Sequence, residues 1–340
     1  MSRLFASATH CNNILSINIS SSHESSVSVA TVICRDFNGT VGDDIDIYIG
    51  YTSSYGKVFS GYIKKVEKQT PNGVYNIVAN DVLVRAIDFF IVSNNPDNPL
   101  KYNNISAENL VMNVLSLAGL SNFNADNTYF YLGINNPVEV NLVSSYDYSR
   151  MILDIVAWSF WANKDGVIYI KNRKPYTMVS GSPDSMQPGF VPDTSSGTIT
   201  DSSILSFNTG VNERDLRNKI VIYGAENIHA TASRSTSYDP ILNNYIQILP
   251  NNFYKAAVLA SPLIDSQSFA QDAADYNLAL FNRLQYEIIL TIVGDYSLEC
   301  RKAVTINSSK FSFYNGLWYI YQLEHAWGKE GFTTNLVLRR

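Results

Sequence analysis

The sequence is low in charged residues, and this scarcity narrows the classes of protein it can encode. Only 16% of its residues are charged, against about 25% in typical soluble domains. The formal net charge of −5 lacks the basic excess expected of a dedicated nucleic-acid-binding protein. Asparagine, serine and 22 tyrosines supply the polarity instead. This composition is typical either of surfaces buried between proteins or of an AT-rich genome.

Long apolar runs and paired cysteines are also missing. The sequence contains no run of about 18 apolar residues, so it predicts no transmembrane helix. Residues 1–5 lack the apolar core of a secretory signal. We therefore expect no stable membrane insertion. Cys11, Cys34 and Cys300 lie far apart and form no CxxC motif. Such an odd, sparse set favours free thiols in a protein made in a reducing cytoplasm.

Catalytic motifs are missing as well. The sequence contains no Walker A sequence, GxSxG elbow, HExxH pair or helix-opening GxGxxG turn. Its four histidines are too scattered to predict a metal site, and His325 is expected to be structural. We therefore predict no enzymatic activity, no catalytic or metal-binding residues and no cofactor.

Two acidic groups leave weaker alternatives open. Calcium binding is one interpretation of Asp43, Asp44 and Asp46, but the segment lacks the glycine and the distal glutamate of a calcium loop. A hairpin turn that leads into a strand is the preferred interpretation. Glycoside cleavage needs two carboxylates at a suitable separation, which the sequence alone does not give for the candidates Glu24, Asp154 and Glu287.

An aromatic group and a basic pair also allow more than one interpretation. Trp158, Phe160 and Trp161 are assigned to a domain core, with carbohydrate stacking as the alternative. The pair Arg339–Arg340 is assigned to a partner contact, a channel lining or a solvated chain end.

The pattern of apolar residues predicts a mainly β protein with an α+β insert. Short β-branched segments separated by Gly, Asn, Pro and Asp turns predict strands over residues 1–93 and again over 204–340. Between them, helices are predicted after the cap Ser106 and over residues 146–162, with polar linkers at 94–99 and 180–202. One further helix is predicted near residues 266–284. We expect two β-domains, 1–93 and 204–340, flanking a small α/β domain with linker at 94–203.

The two β-regions resemble each other at a fixed offset of 257 residues (319 − 62). Tyr-Ile-Lys-Lys-Val-Glu at residues 62–67 aligns with Tyr-Ile-Tyr-Gln-Leu-Glu at 319–324. The same offset aligns Tyr75 with Phe332 and brings two of the three isoleucines at 45, 47 and 49 onto apolar residues. Because the register holds through neighbouring strands, we predict a duplicated β-domain.

The C-terminal region contains a series of specific strand and turn patterns. Gly-Asp-Tyr-Ser-Leu at 294–298 is followed by Leu-Trp-Tyr-Ile at 317–320, by His325 and by Gly-Phe-Thr-Thr-Asn-Leu-Val-Leu at 331–338, while Arg-Asn-Lys-Ile-Val-Ile-Tyr-Gly at 217–224 opens the region. These patterns resemble the last domain of the baseplate hub proteins of contractile phage tails and related injection systems. Val-Gly-Asp-Asp-Ile at 41–45 and Ser-Gly-Tyr-Ile at 60–63 resemble the family's first barrel. One departure is Glu299-Cys300-Arg301, where the family usually has Pro-Gly.

The resemblance implies two tail-tube-like barrels in a homotrimer, which forms a pseudo-six-fold ring between the hexameric tail tube and the trimeric central spike. The implied partners are a tube or tube-initiating ring protein, the spike, other baseplate proteins and DNA in transit. The implied location is the virion tail baseplate, after synthesis in the host bacterial cytoplasm. Because a basic channel would grip phosphates, we expect an acidic or neutral lining, with Asp43, Asp44, Glu67 and Glu324 as candidates.

Two alternatives are the hub portion of a tail-tip adhesion protein of a non-contractile phage, and a carbohydrate-binding adhesin. Adhesion proteins of the first kind commonly continue into a receptor-binding or lytic region. This sequence stops at Arg340, immediately after its last predicted strand, which favours a hub that stands alone.

Overall fold

The computed structural model describes residues 3–340 except residues 70, 93–98, 129, 157, 173–176, 179–185, 188–194 and 243. Most of the predicted linker at 94–99, and much of that at 180–202, lie outside the described residues. The described chain is mainly β, as predicted. None of its described helices is long and apolar enough to cross a membrane.

The first barrel is built from six strands at the start of the chain. They are β1 (Leu4–Ala8), β2 (Cys11–Ser22), β3 (Val29–Phe37), β4 (Asp44–Tyr51), β5 (Ser54–Gln69) and β6 (Val74–Asp81). Their order is β1-β4-β5-β6-β3-β2, and the pair Ala8–Cys11 joins β1 to β2 and closes the ring. Alternate residues face inward, so Ile45, Ile47 and Ile49 are at most 1% exposed in the barrel core.

A middle body of short strands and helices follows. Its elements are α1 (Val84–Asp88), β7 (Phe90–Ile91), β8 (Leu100–Tyr102), β9 (Ile105–Ser106), α2 (Ala107–Leu117), β10 (Phe123–Ala125), β11 (Tyr131–Leu132), β12 (Val138–Val140), β13 (Val143–Ser144), α3 (Ser145–Ile155), β14 (Trp158–Ala162), β15 (Ile168–Asn172), β16 (Thr177–Met178) and β17 (Met186–Gln187). Helices α2 and α3 pack against each other over a shared apolar core.

The predicted helix over residues 146–162 was too long. Helix α3 ends at Ile155, and residues 158–162 form strand β14, which pairs with β15. Aromatic side chains favour a pleated, half-buried surface, and Trp158, Phe160 and Ala162 alternate into the core. Ser106 does stand at the start of α2, but its hydroxyl donates to Glu108 at 2.6 Å and makes no cap bond to the helix backbone.

The remaining elements form a second barrel, interrupted by a long insertion. They are β18 (Thr198–Thr200), β19 (Ile204–Asn212), β20 (Lys219–Tyr223), β21 (His229–Ser233), β22 (Ser237–Asp239), β23 (Asn244–Ile246), β24 (Ala256–Ala260), α4 (Gln267–Phe281), β25 (Gln285–Val293), β26 (Ala303–Asn307), a 3-10 turn (Ser312–Tyr314), β27 (Gly316–Gly328) and β28 (Gly331–Arg339). The barrel strands run in the order β18-β26-β27-β28-β25-β19.

The two barrels have the same strand order, which supports the predicted duplication. In the first barrel β4-β5-β6-β3-β2 are neighbours, and β26-β27-β28-β25-β19 repeat that order in the second. A β-bulge lies between Ile63 and Lys65 in β5 and between Ile320 and Gln322 in β27. These bulges differ by the same 257 residues that the sequence comparison gave. One strand differs in direction, because β1 is antiparallel to β4 whereas β18 is parallel to β26.

The domain bounds 1–93, 94–203 and 204–340 remain predictions. In the structure, some residues after 204 share an apolar core with the middle body. Strands β20 and β21 and helix α4 share one apolar core with α2, α3 and β14. The insertion between β19 and β25 therefore packs with the middle body, and β18 belongs to the second barrel although it precedes residue 204. The middle body therefore shares one apolar core with the insertion, while each barrel has a core of its own.

Candidate assembly interface

The two barrels are joined edge to edge within the chain. Residues 16–22 of β2 pair antiparallel with residues 322–328 of β27, so that both barrels belong to one continuous sheet. We call this pairing the internal seam. It becomes possible because β26 stops pairing with β27 near Ile320, which leaves the rest of that β27 edge for β2.

Polar side chains bind across the internal seam. Asn18 Nδ2 donates to Glu324 Oε1 across the seam at 2.5 Å, and within the second barrel Asn335 Nδ2 donates to Glu324 Oε2 at 3.3 Å. His23 stacks on Tyr321 with ring centroids 5.1 Å apart. Phe332 is 3% exposed and packs into the core of the first barrel. The seam therefore combines backbone pairing, a charge-assisted hydrogen bond and apolar burial.

Arg301 clamps one end of the internal seam. It is 6% exposed, and its Nη2 donates to the backbone oxygens of Ser22, His23 and Ser25 at 2.9, 3.1 and 3.3 Å. Its φ of 66° is left-handed, in the segment where the resembled family has Pro-Gly. A non-glycine residue in this conformation carries strain, and three bonds to the neighbouring barrel oppose that cost.

Beneath the clamp lies the buried carboxyl of Asp81. It accepts hydrogen bonds from the backbone nitrogens of Ser28 at 2.6 Å and Leu83 at 3.0 Å. Burial raises the pKa of Asp81 to about 6, although these bonds and the charge of Arg301 act in the opposite direction. His325, also fully buried, has its pKa lowered to about 4 by burial and lies 3.0 Å from Thr334 Oγ1 through Nδ1. That position agrees with the structural role expected for His325.

Strand edges equivalent to the internal seam are exposed elsewhere. β19, which occupies the place of β2 in the second barrel, pairs with β25 on one side, and no strand in the described part of the chain pairs with its other side. β5, the equivalent of β27, is released by β4 after Ile63. We call residues 208–212 of β19 and 65–69 of β5 the free edges. Their residues are exposed apart from Val66, which is partly buried.

The acidic candidates occupy separate places. Asp46 binds Lys57 at 2.8 Å; burial would raise the pKa of Asp46, but the bond and charge of Lys57 lower it. Asp43 accepts from the Thr40 backbone nitrogen at 2.8 Å in the turn before β4. Across the described residues, no three His, Cys, Asp or Glu side chains form a group able to hold a metal ion.

Glu24 and Asp154 line one cavity of about 360 Å³ between the middle body and the second barrel. Glu24 accepts a hydrogen bond from Tyr321 Oη, and Asp154 lies 3.6 Å from Arg150. The third candidate, Glu287, is outside the lining but binds Arg339 at 2.8 Å. Arg339 and Arg340 both line the cavity, so they lie against the protein body. The three carboxylates are thus engaged by neighbouring side chains.

The aromatic group is part of the protein interior. Trp158, Phe160 and Trp161 are 3%, 7% and 7% exposed, so these rings offer no open platform to a sugar. Trp161 stacks on Tyr169 with centroids 5.6 Å apart, and the Arg301 guanidinium lies 5.6 Å from its ring. The preferred interpretation of the cluster as core packing agrees with this burial.

The sequence analysis missed the match that marks the free edge of β19. Ile-Leu-Ser-Ile-Asn-Ile at 14–19 aligns with Ile-Leu-Ser-Phe-Asn-Thr at 204–209. Both segments contain a bulge directly after their isoleucine, at Leu15 and at Leu205. Because the insertion between β19 and β25 changes the offset to 190 residues (204 − 14), a search at the offset of 257 does not find this second match.

No family model and no curated protein matches the sequence, whereas solved structures match nearly the whole chain. A tail protein from Neisseria meningitidis MC58 matches with a TM-score of 0.67 and 9% identity, covering 99% of this chain and 97% of that one. A 43 kDa tail protein of prophage MuSo2 from Shewanella oneidensis matches with a TM-score of 0.62 and 10% identity, covering 99% and 96%. This chain has the fold of phage tail proteins.

A third similar structure comes from a secretion machine. The E. coli c3393 protein, described as a type VI secretion component similar to the T4 tail proteins gp27 and gp5, matches with a TM-score of 0.55 and 9% identity, covering 98% of this chain and 76% of that one. The resemblance recognised in the sequence is therefore confirmed at the level of the fold.

Proposed function

We propose that this chain is a structural hub subunit of a phage-type tail. Three copies form a ring of six barrels that joins a six-fold tail tube to a three-fold central spike and leaves a channel for DNA. The subunit works in the virion baseplate, contacts other baseplate proteins there and catalyses no reaction. It is made in the host bacterial cytoplasm.

The observation that supports this proposal most directly is the joining of two alike barrels within one chain. Each chain presents two different free edges, one on β19 and one on β5. Edges that differ in this way associate head to tail, and such contacts form a closed ring when the rotation between units closes. Closure also removes exposed strand edges, which are otherwise sites of aggregation.

The symmetry of the proposed ring explains the choice of partners. Six similar barrels present nearly the same surface six times, which suits a hexameric tube. The chains themselves repeat only three times, which suits a trimeric spike. An acidic or neutral channel avoids gripping the phosphates of passing DNA, and Glu67 and Glu324 on the equivalent strands β5 and β27 remain our lining candidates together with Asp43 and Asp44.

The first test is the solution mass of the purified chain, followed by class averages of stained particles. A trimer of about 114 kDa, three times the 38.0 kDa chain, with six lobes around a hole is the expected result. A monomer that binds cells or glycans would instead favour an adhesin.

A second test locates the protein in the particle. Gold-labelled antibodies against the chain are expected to mark the end of the tail tube that carries the spike. Labelling along the fibres, or along the whole tube, would contradict a hub position.

A further inference from the structure

The side chains that hold the internal seam recur at the free edges. Within the seam, Glu324 accepts hydrogen bonds from Asn18 and Asn335. At the offset of 190 residues, Asn208 replaces Asn18, and at the offset of 257 residues, Glu67 replaces Glu324. Asn76, across from Glu67, donates to Glu67 Oε2 at 3.3 Å. The Asn–Glu–Asn set is therefore present twice, but the second set is divided between two edges of the chain.

At the free edges, the backbone loses a pairing strand at the same positions as at the seam. The pairing of β26 with β27 ends at the hydrogen bond from Ile320 N to Lys302 O. The pairing of β4 with β5 ends at the hydrogen bond from Ile63 N to Asp43 O. These isoleucines are equivalent residues, so the open edge of β5 begins at the same position at which β27 becomes available to β2. The bulges at Leu15 and Leu205 lie at equivalent positions in the two partner strands, β2 and β19.

From these equivalences we propose that the β19 free edge of one copy pairs antiparallel with the β5 free edge of the next, and that Asn208 donates to Glu67 across this contact. The inference deepens the proposed ring and rests on it. The internal seam pairs Asn18 with Ala326 and Ser22 with Gln322. Transferring that register gives the opposed residues Asn208–Gln69, Thr209–Lys68, Gly210–Glu67, Val211–Val66 and Asn212–Lys65.

The register brings compatible side chains together. Val211 is 56% exposed, and it would face Val66, as Ser21 faces the buried Leu323 in the seam. One residue further, the seam bonds His23 N to Tyr321 O, and the equivalent residues Glu213 and Lys64 have opposite charges. Within one chain Glu213 pairs with Lys255 at 3.6 Å and Lys64 pairs with Asp88 at 2.6 Å, and the Glu213 and Lys64 side chains remain 54% and 38% exposed.

Disulfide trapping tests the register directly. Residues opposed across antiparallel strands have Cβ atoms about 5 Å apart, close to the spacing that a disulfide requires. A chain with Val66→Cys and Val211→Cys is expected to give a covalent trimer on non-reducing gels. Val66→Cys with Thr209→Cys, which shifts the pairing by two residues on the same face, is the matched control. The native cysteines are buried, and the unmodified chain shows their background.

Single variants test the direction of the contact. Chains with Val66→Cys alone and Val211→Cys alone are expected to stay uncrosslinked separately and to form dimers when mixed. If each single variant crosslinks to itself, the contact joins like edges and the inference is wrong. If the Thr209 pair crosslinks within a trimer and the Val211 pair does not, the register is wrong while the ring stands. If neither pair crosslinks and no trimer forms, the ring and the inference both fail.

An exchange of hydrogen-bonding partners tests the Asn208–Glu67 contact. Asn208→Asp places a carboxylate against Glu67 and is expected to weaken trimer association about tenfold, a change of about 1.4 kcal/mol. Adding Glu67→Gln supplies an amide donor to the new carboxylate, so association should return to within about threefold of the original. An unchanged trimer in Asn208→Asp, or no recovery in the double variant, would overturn the contact.

Discussion

The internal seam and the free edges are alike in their strands and bulges but differ in burial. In the seam, Ile19 and Leu323 are 2% and 3% exposed. At the free edges, their equivalents Thr209 and Val66 are exposed and partly buried, respectively. If the proposed ring forms, the same kind of edge pairing serves both folding and assembly. When the two edges share a chain, their effective concentration is high and pairing is part of the fold; when they lie on different copies, pairing depends on protein concentration.

The barrels themselves differ where their surroundings differ. β1 runs antiparallel to β4 and meets β2 at Ala8–Cys11, which closes the first barrel. β18 runs parallel to β26 and reaches the second barrel from the middle body. Strands β2 to β6 and their equivalents in the second barrel keep their order, whereas β1 and β18, which carry neither the seam nor a free edge, differ in direction. This pattern is expected if the edges that form the ring are constrained more strongly than the rest of each barrel.

The largest effect is expected from breaking the seam clamp. Arg301→Gln removes the guanidinium that binds three backbone oxygens of the first barrel, and it leaves the buried Asp81 without its neighbouring positive charge. Breaking a buried charged contact of this kind costs about 3–5 kcal/mol. Urea denaturation followed by tryptophan fluorescence measures the loss.

Arg35→Gln is the matched control, because Arg35 is exposed on β3. It is expected to change the free energy of unfolding by less than about 0.5 kcal/mol. Equal losses in the two variants would show that Arg301 does not hold the barrels together.

A somewhat smaller effect tests the equivalence of the barrel cores. Ile63 and Ile320 are equivalent by offset and both are 0% exposed. Replacing either by Ala removes buried methyl groups and leaves a cavity, at a cost of about 2–4 kcal/mol. We expect the two losses to agree within about 1 kcal/mol in thermal and urea unfolding. The control Ile289→Ala alters a side chain that is 50% exposed and should cost much less. A large loss at one core and a small one at the other would mean that the barrels are stabilised differently.

The pH dependence of stability separates two buried groups beside the seam. Asp81 has a pKa raised to about 6, so its contribution is present below pH 4 and is lost as the pH rises through 6. His325 has a pKa lowered to about 4, so its contribution is present above pH 6.5 and is lost as the pH falls through 4. Each shift corresponds to about 3 kcal/mol, and the two trends oppose each other.

Single substitutions should therefore separate the two opposite slopes of the free energy of unfolding against pH. Asp81→Asn leaves the histidine, and its free energy of unfolding should rise between pH 4 and 6.5 more steeply than that of the original chain. His325→Gln leaves the carboxyl, and stability should fall over pH 4–6. Denaturant titrations at several pH values measure both slopes. Parallel curves for the two variants would contradict this assignment.

The fold could be predicted largely from the sequence because alternation and turn residues are local signals. The duplicated strands were found because β5 and β27 keep Tyr, Ile and Glu at one offset. The boundary between α3 and β14 was missed, since the apolar residues after Ile155 suit either period. The packing of β20, β21 and α4 with the middle body was also beyond local patterns, because it depends on contacts between distant segments.

The assembly edges were predictable only in part. Glu67 and Glu324 were named as channel candidates from their charge. The structure shows in addition that Glu324 accepts a hydrogen bond from Asn18 in the seam and that Glu67 accepts one from Asn76 at a free edge. The match of residues 14–19 with 204–209 was present in the sequence. Its importance became visible only when β2 was found to pair with β27, because an edge contact has no local signature.

The smallest expected effect comes from the equivalent substitutions Asn18→Ala in the seam and Asn208→Ala at the free edge, which compare the two places directly. Asn18→Ala removes the donor to Glu324 inside the chain, and a hydrogen bond to a charged group at a partly exposed position contributes about 1 kcal/mol. Asn208→Ala removes the equivalent donor from an edge that is unpaired within one chain. In thermal unfolding at a concentration where the chain is monomeric, Asn18→Ala should lower the midpoint while Asn208→Ala leaves it unchanged. At concentrations where trimers form, the stability difference between the two variants should shrink, because Asn208 then acquires the partner that Asn18 always has. If Asn208→Ala lowers monomer stability as much as Asn18→Ala does, the free edge already has a role within its own fold and the equivalence fails.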